Sequence, residues 1–141
     1  LLGRVTYEMM ASYWPTSAAA QAMPAVAEGM NRSEKIVFSR TLSRAEWQNT
    51  RVVQDHMAEE VRRMKQMPGS HMTLLGSGSI LTQLAEHNLI DEYLIMLDPV
   101  ALGAGTPLFQ GLRRKLDLKL LATRTFPSGV VLLTYQPAAP A

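Results

Sequence analysis

Three short segments combine small residues, hydroxyls and guanidinium groups in patterns suited to holding an anion. The first is Thr73-Leu74-Leu75-Gly76-Ser77-Gly78-Ser79-Ile80-Leu81. It reads as a strand, a glycine-containing turn and a helix start. Glycine permits positive φ and close approach of a ligand to the backbone. The first turn of a helix leaves its N–H groups unpaired, with the positive end of the dipole behind them. Together these features suit a phosphate. The spacing is not that of the three-glycine dinucleotide fingerprint, and no Gly-Lys-Ser/Thr follows as in a Walker loop. The same string also fits a tight β–α turn that accepts only small residues.

The second segment is Leu2-Gly3-Arg4-Val5-Thr6-Tyr7-Glu8. Here Arg4 stands at a helix mouth, where its planar guanidinium can grip a phosphate through two parallel hydrogen bonds. Thr6 adds a hydroxyl and an N–H. The third is Ser39-Arg40-Thr41, directly after the apolar run Lys35 to Phe38. Each of these also reads as an ordinary surface turn. All three fall at the carboxyl ends of expected strands, where open α/β sheets bind ligands. A dinucleotide has a pyrophosphate and, in NADP, a 2′-phosphate. Two helix starts suit the former, and Arg4, Ser39 and Arg40 the latter.

The elements that must position these segments follow from local pattern. Val5 to Tyr13 and Pro24 to Asn31 are expected as short helices, the second with Pro in its first turn. Lys35 to Ser39 and Thr50 to Gln54 are expected strands. Asp55 is expected to N-cap a helix over His56 to Gln66, in which Met57, Val61 and Met64 mark the core face. Met72 to Leu75 is an expected strand, and Ile80 to His87 a helix. Tyr93 to Leu97 is an expected strand that lacks polar alternation, which predicts burial on both faces. Asp98 to Gly111 is irregular. Leu116 to Phe126 and Val130 to Tyr135 flank Pro127-Ser128-Gly129 as a terminal hairpin. The class is therefore α/β: a largely parallel central sheet flanked by helices, with a C-terminal antiparallel hairpin at its edge.

Composition narrows the function classes. The chain has 141 residues, 47% hydrophobic and 18% charged, with a net charge of +2. That is a globular profile, and no like-charge run is long enough to be a nucleic-acid arm. Arg113, Arg114 and Lys115 form the densest basic cluster and are expected in a solvated turn. The absence of cysteine excludes disulfides, thiol nucleophiles and thiolate metal sites, and fits a reducing cytoplasm. No apolar run reaches the ~18 residues that a membrane span needs. His56, His71 and His87 lack metal-ligand spacing, so no metal is expected. Trp14, Trp47 and Phe109 are expected to pack in the core. One domain is expected over residues 1–136, with a tail at 137–141. Leu1-Leu2 looks like the end of a buried strand, so a preceding strand is expected upstream.

Taken in order, the motifs carry a resemblance. Leu2 to Glu8 followed by Trp14-Pro15 is similar to the cofactor-binding helix start of the dihydrofolate-reductase superfamily. Lys35-Ile36-Val37-Phe38-Ser39-Arg40-Thr41-Leu42 with Trp47 and Asn49 resembles its adenosine-side strand. Leu75 to Ser79 with Asn88-Leu89-Ile90-Asp91-Glu92-Tyr93, then Pro99-Val100 to Phe109, complete the pattern. The combination most resembles the bacterial branch related to the C-terminal reductase domain of RibD. Dihydrofolate reductases proper tend to have a triple-glycine turn and a basic residue where this chain has Ser77 and Ser79.

The resemblance implies NADPH as cofactor, a small-molecule substrate, a cytoplasmic setting and a homodimer. It places Gly3, Arg4 and Thr6 at the phosphates, with Arg4 near the 2′-phosphate. Ser39 and Arg40 would bracket the 2′-phosphate and adenine. Gly76, Ser77, Gly78, Ser79, Ile80 and Leu81 would hold the pyrophosphate and nicotinamide ribose through backbone N–H groups. The implied activity is hydride transfer to a small heterocyclic, carbonyl or imine substrate, similar to 5-amino-6-(5-phosphoribosylamino)uracil reductase of riboflavin biosynthesis. The alternatives are a non-catalytic nucleotide-binding or structural relative, or a dihydrofolate reductase proper. The segment that lines the substrate pocket in this family precedes the Gly3-Arg4 motif, so no catalytic residue is assigned.

Overall fold

The computed structural model describes residues 1–138. The chain divides into two compact units, Leu1–Leu81 and Thr82–Ala141.

The first unit begins with β1 (Leu2–Gly3) and runs without a break into α1 (Arg4–Ala11). Two short helices follow, α2 (Ser17–Ala22) and α3 (Pro24–Arg32). Sequence reading missed α2, although Thr16 caps it by accepting the Ala19 N–H at 3.2 Å. Next come β2 (Lys35–Phe38), β3 (Thr50–Val53) and α4 (Met57–Gln66). The three strands form a parallel sheet in the order β1-β2-β3. Leu2 lies opposite Val37, and Val37 opposite Val52. β2 is buried throughout, as expected of a central strand covered on both faces.

Two expectations for this unit fail. Asp55 does not cap α4. His56 is the N-cap, with φ at 56° and no side-chain cap bond, while Asp55 lies 3.6 Å from Arg40. Thr73 to Leu75 do not form a regular strand, yet they do bond to the sheet edge. The Leu1 amine donates to Thr73 O at 2.6 Å and Leu75 N–H donates to Leu1 O at 3.1 Å. That alternation is the parallel-ladder pattern.

The core of this unit is Leu2, Tyr7, Val37 and Trp47, with Trp14, Met30 and Leu42 packed around it. Its polar atoms are all used. Tyr7 Oη accepts the Trp47 N–H at 3.1 Å, and Trp47 Nε1 donates to Asn31 Oδ1 at 2.7 Å. Lys35 is buried at the start of β2. Its ammonium donates to the carbonyls of Met30, Asn31 and Ser33 and lies 4.3 Å from the centre of the Trp47 ring. Three carbonyls at a helix C-terminus and an aromatic face stabilise a cation that burial alone would disfavour. Burial pushes its pKa below the ordinary lysine value.

The second unit contains β4 (Tyr93–Leu97), β5 (Leu118–Thr125) and β6 (Val131–Pro137), antiparallel in the order β4-β6-β5. α5 (Gly78–Glu86) spans the division between the units. The mixed α/β class is as expected, but β4 ladders with the hairpin and not with the parallel strands. The Pro127-Ser128-Gly129 turn is present. Gly129 has φ 87°, and a Cβ there would come within 3.3 Å of Pro99 Cγ.

The predicted double-sided burial of Tyr93 to Leu97 is not found. Tyr93 is buried, whereas Leu94, Met96 and Leu97 are 62%, 59% and 60% exposed. β4 is an edge strand of an antiparallel sheet, and such sheets lack the crossover helices that cover both faces of parallel ones. The basic cluster is also more than a solvated turn. Arg114 Nη2 donates to Glu86 O and Asn88 Oδ1 at 2.9 and 2.7 Å, which closes the end of α5. β6 runs one residue into the expected tail. The rest of that tail, residues 139–141, lies outside the described residues.

One ion-pair cluster sets a pH dependence. Glu60 on α4 meets Arg63 Nη2 and Arg51 Nη2, both at 2.8 Å. The hydrogen bond from Arg63, followed by that from Arg51, lowers its pKa from 4.5 to about 2. The folded state therefore binds this proton less readily than the unfolded chain. The stabilisation is complete above the unfolded value and is lost as pH falls towards the folded one. Urea unfolding followed downward from neutral pH should show stability falling between pH 4.5 and about 2. Glu60→Gln should remove that part of the slope, and an unchanged slope would exclude Glu60 as its source.

Candidate functional site

β1 and β2 end side by side, with Gly3 opposite Phe38. Beyond their carboxyl ends lies a cavity of about 270 Å³ lined by Gly3, Arg4, Val5, Thr6, Phe38, Ser39, Ser77, Ser79 and Ile80. The three segments singled out from sequence thus converge on one place. The volume is near the lower bound of ligand pockets. It suits a phosphate with its sugar better than a whole dinucleotide.

The mouth of α1 supplies the electrostatics. Gly3 is its N-cap and offers no side-chain bond, and no acidic residue stands in the first turn. Its leading N–H groups are therefore neither capped nor neutralised from within the helix, which favours an anion. Arg4 stands at the same mouth. Its Nη1 donates to Glu8 Oε2 and Oε1 at 3.0 and 3.1 Å.

The Gly76–Gly78 turn is held against this mouth by one hydroxyl. Ser77 Oγ accepts the Gly3 N–H at 2.8 Å and lies 2.9 Å from Thr6 Oγ1, which accepts its proton. Leu75 O, at 3.2 Å, is its alternative acceptor. Gly76 and Ser77 both adopt left-handed backbone, at φ 55° and 58°. For serine that conformation costs about 1–2 kcal/mol, which the hydroxyl bonds offset. A side chain at Gly3 would crowd the same turn. A Cβ there would lie 3.2 Å from both Ile80 Cγ1 and Ser77 Oγ.

Other expected site residues are placed differently. Ser39 is nearly buried, and its Oγ accepts the N–H groups of Thr41 and Leu42 at 3.2 and 3.0 Å. It shapes the turn after β2 and still borders the cavity. Arg40 is outside the lining; it is highly exposed and pairs with Asp55. Gly76, Gly78 and Leu81 are also outside the lining. The Ile80 and Leu81 N–H groups both donate to Ser77 O at 2.9 Å, so they close the first turn of α5. The uncapped helix start that borders the cavity is therefore that of α1. Sequence reading missed Val5 and Phe38, two apolar liners that carry no chemical signature.

A larger depression of about 660 Å³ lies beside Tyr7, Asn31 and Trp47. It lacks the convergence seen at the smaller cavity, since Ser39, Arg40 and the residues from Gly76 to Leu81 do not line it. No helix among the described residues is long and apolar enough to cross a membrane.

Residues 1–132 match the RibD C-terminal domain family. The uncharacterized protein YyaP of Bacillus subtilis (strain 168) is 33% identical over 135 residues, covering 96% of this chain and 71% of YyaP. YwjB of the same organism, also uncharacterized, is 36% identical over 70 residues, which is 50% of this chain and 40% of YwjB. The chain belongs to the RibD C-terminal domain family. Two solved structures share its fold. A provisionally named riboflavin biosynthesis protein from Shewanella sp. PV-4 superposes with a TM-score of 0.74 at 21% identity, covering 98% of this chain and 72% of that one. A pyrimidine reductase-like protein from Corynebacterium diphtheriae NCTC gives 0.54 at 12% identity, covering 74% and 50%.

The role of Ser77 can be measured. Ser77→Ala should cost about 1–2 kcal/mol in urea unfolding, because it leaves the part-buried Gly3 N–H without its acceptor. Ser77→Gly loses the same bonds but adopts positive φ freely, so it should be the more stable of the two. An alanine variant as stable as the parent would show that the hydroxyl does not hold the turn.

Proposed function

We propose that this chain is the cofactor-binding part of an NADPH-dependent reductase, acting as one domain over residues 1–136. The observation that carries the reading is the convergence of Gly3, Arg4, Thr6, Ser39, Ser77, Ser79 and Ile80 on one cavity at the carboxyl ends of two parallel strands. The residues present fit a phosphorylated cofactor. The mouth of α1 is uncapped and free of acidic residues, and a side chain at Gly3 would crowd the turn that faces it.

In this reading the α1 amides and Arg4 hold phosphate oxygens, with Arg4 at the 2′-phosphate. Ser39 supports that group from the turn after β2, and Arg40 can reach it only by leaving Asp55. Ser77 and Thr6 keep the Gly76–Gly78 turn in place, while Ser79 and Ile80 wall the cavity. When bound, NADPH supplies the hydride, and the protein orients the cofactor and limits access of water. The acceptor is a small heterocyclic, carbonyl or imine compound. Membership of the RibD C-terminal domain family, together with a fold shared with a pyrimidine reductase-like protein, supports an acceptor like 5-amino-6-(5-phosphoribosylamino)uracil. A cytoplasmic homodimer is part of the same reading.

A ligand that binds only the folded state raises stability by about 2.7 kcal/mol at 100 Kd. NADPH should therefore raise Tm, and NADH should raise it less. Arg4→Ala should narrow that difference, since a hydrogen bond to a charged partner contributes about 1.5–3 kcal/mol. No Tm shift with either nucleotide would overturn the cofactor assignment. An unchanged NADPH-over-NADH difference in Arg4→Ala would remove Arg4 from the 2′-phosphate.

A further inference from the structure

We propose that Glu8 is a positioning residue for phosphate recognition. It tethers the Arg4 guanidinium by one nitrogen and leaves the opposite edge for the anion. The inference rests on the reading of Arg4 as a phosphate contact.

Both Glu8 carboxylate oxygens bond the same atom, Arg4 Nη1, at 3.0 and 3.1 Å. No other group among the described residues bonds that guanidinium. The Nε and Nη2 N–H groups thus remain together on one planar edge, which is the fork that grips two phosphate oxygens side by side. A carboxylate facing both terminal nitrogens would have occupied much of that donor set. Arg4 borders the smaller cavity, whereas Glu8 borders only the larger depression. In this proposal the anion meets the open Nε–Nη2 edge, and Glu8 holds the opposite nitrogen, Nη1.

Helix energetics do not explain the pair. A cation at a helix N-terminus opposes the dipole, and arginine preceding glutamate is the weaker order for an i,i+4 pair. Both side chains are about half exposed, so the contact adds little stability by itself. Its value lies in orientation. Arginine has many rotamers, and a tether formed before binding reduces the order that the ligand must impose. The negative charge of Glu8 opposes an incoming phosphate, but solvent at this half-exposed position screens it.

Titration of the full chain with NADPH and with NADH tests this. Glu8→Ala should weaken NADPH binding about five-fold, near the upper limit for an exposed pair, and leave NADH unchanged. Glu8→Gln keeps an amide oxygen for Nη1 and should restore most of the loss. In an Arg4→Ala background, Glu8→Ala should have no effect. Tighter NADPH binding by Glu8→Ala would overturn the proposal by making Glu8 a competitor for Arg4. Equal losses for both nucleotides would also overturn it, by making the role merely structural. If Arg4→Ala itself leaves NADPH-over-NADH selectivity intact, the reading of Arg4 falls first and the role of Glu8 with it.

Discussion

The site depends on a single hydroxyl. Ser77 Oγ joins the turn before α5 to the junction of β1 and α1, across more than 70 residues of sequence, by accepting the Gly3 N–H and reaching Thr6. It adds to the Leu1–Thr73 and Leu75–Leu1 bonds, which join the same two segments one step earlier in the chain. The contact also accounts for two neighbouring choices of residue. A Cβ at Gly3 would press on Ser77 and Ile80, each 3.2 Å away. Ser77 tolerates left-handed backbone because its side chain gains partners there that offset the strain. Small residues here reflect close packing of neighbouring side chains against the backbone as much as room for a ligand.

A second network holds the middle of α1 and the start of β2. Lys35 gathers the carbonyls at the end of α3, lies over Trp47, and Trp47 in turn binds Asn31 and Tyr7. Tyr7 is one residue from Thr6 and one turn from Arg4. The aromatic core thus sets the rotation of α1 about its axis, and that rotation decides which side chains face the cavity. Arg4 borders it, and Glu8, one turn further on, ties back to Arg4. Core packing, helix register and cavity lining are consecutive links of one chain of constraint.

Much of this was legible in the sequence. The apolar run at Lys35 to Phe38, the proline-led α3 and the Pro127–Gly129 turn all carry local signals strong enough to survive tertiary context. The motifs at Gly3-Arg4, Ser39 and Gly76–Ser79 were legible as anion-type chemistry and, in sequence order, as a family pattern. What local pattern could not supply was the role of each residue within them. Ser39 looked like a phosphate donor, yet its hydroxyl organises its own turn. The Ile80 and Leu81 amides looked available, yet both close onto Ser77 O. Arg40 looked equivalent to Arg4, yet it points to Asp55 outside the lining. Each of these depends on which partner lies within about 3 Å, and spacing along the chain does not encode that.

The same division separates the two sheets. Alternating strands and helices were enough to assign the α/β class, because periodicity and breakers act over a few residues. Strand partnership is a long-range choice among similar apolar runs. Tyr93 to Leu97 reads as a buried parallel strand and is instead a half-exposed antiparallel edge. By itself, then, the sequence determined most of the elements, the residue types at the candidate site and the family to which the chain belongs. Tertiary structure alone decided that Ser77 bonds Gly3 and Thr6, that α1 begins without a side-chain cap and that Glu8 bonds Arg4 through Nη1 alone. The physical reason is that hydrogen-bond partnership and side-chain orientation are properties of distance in space.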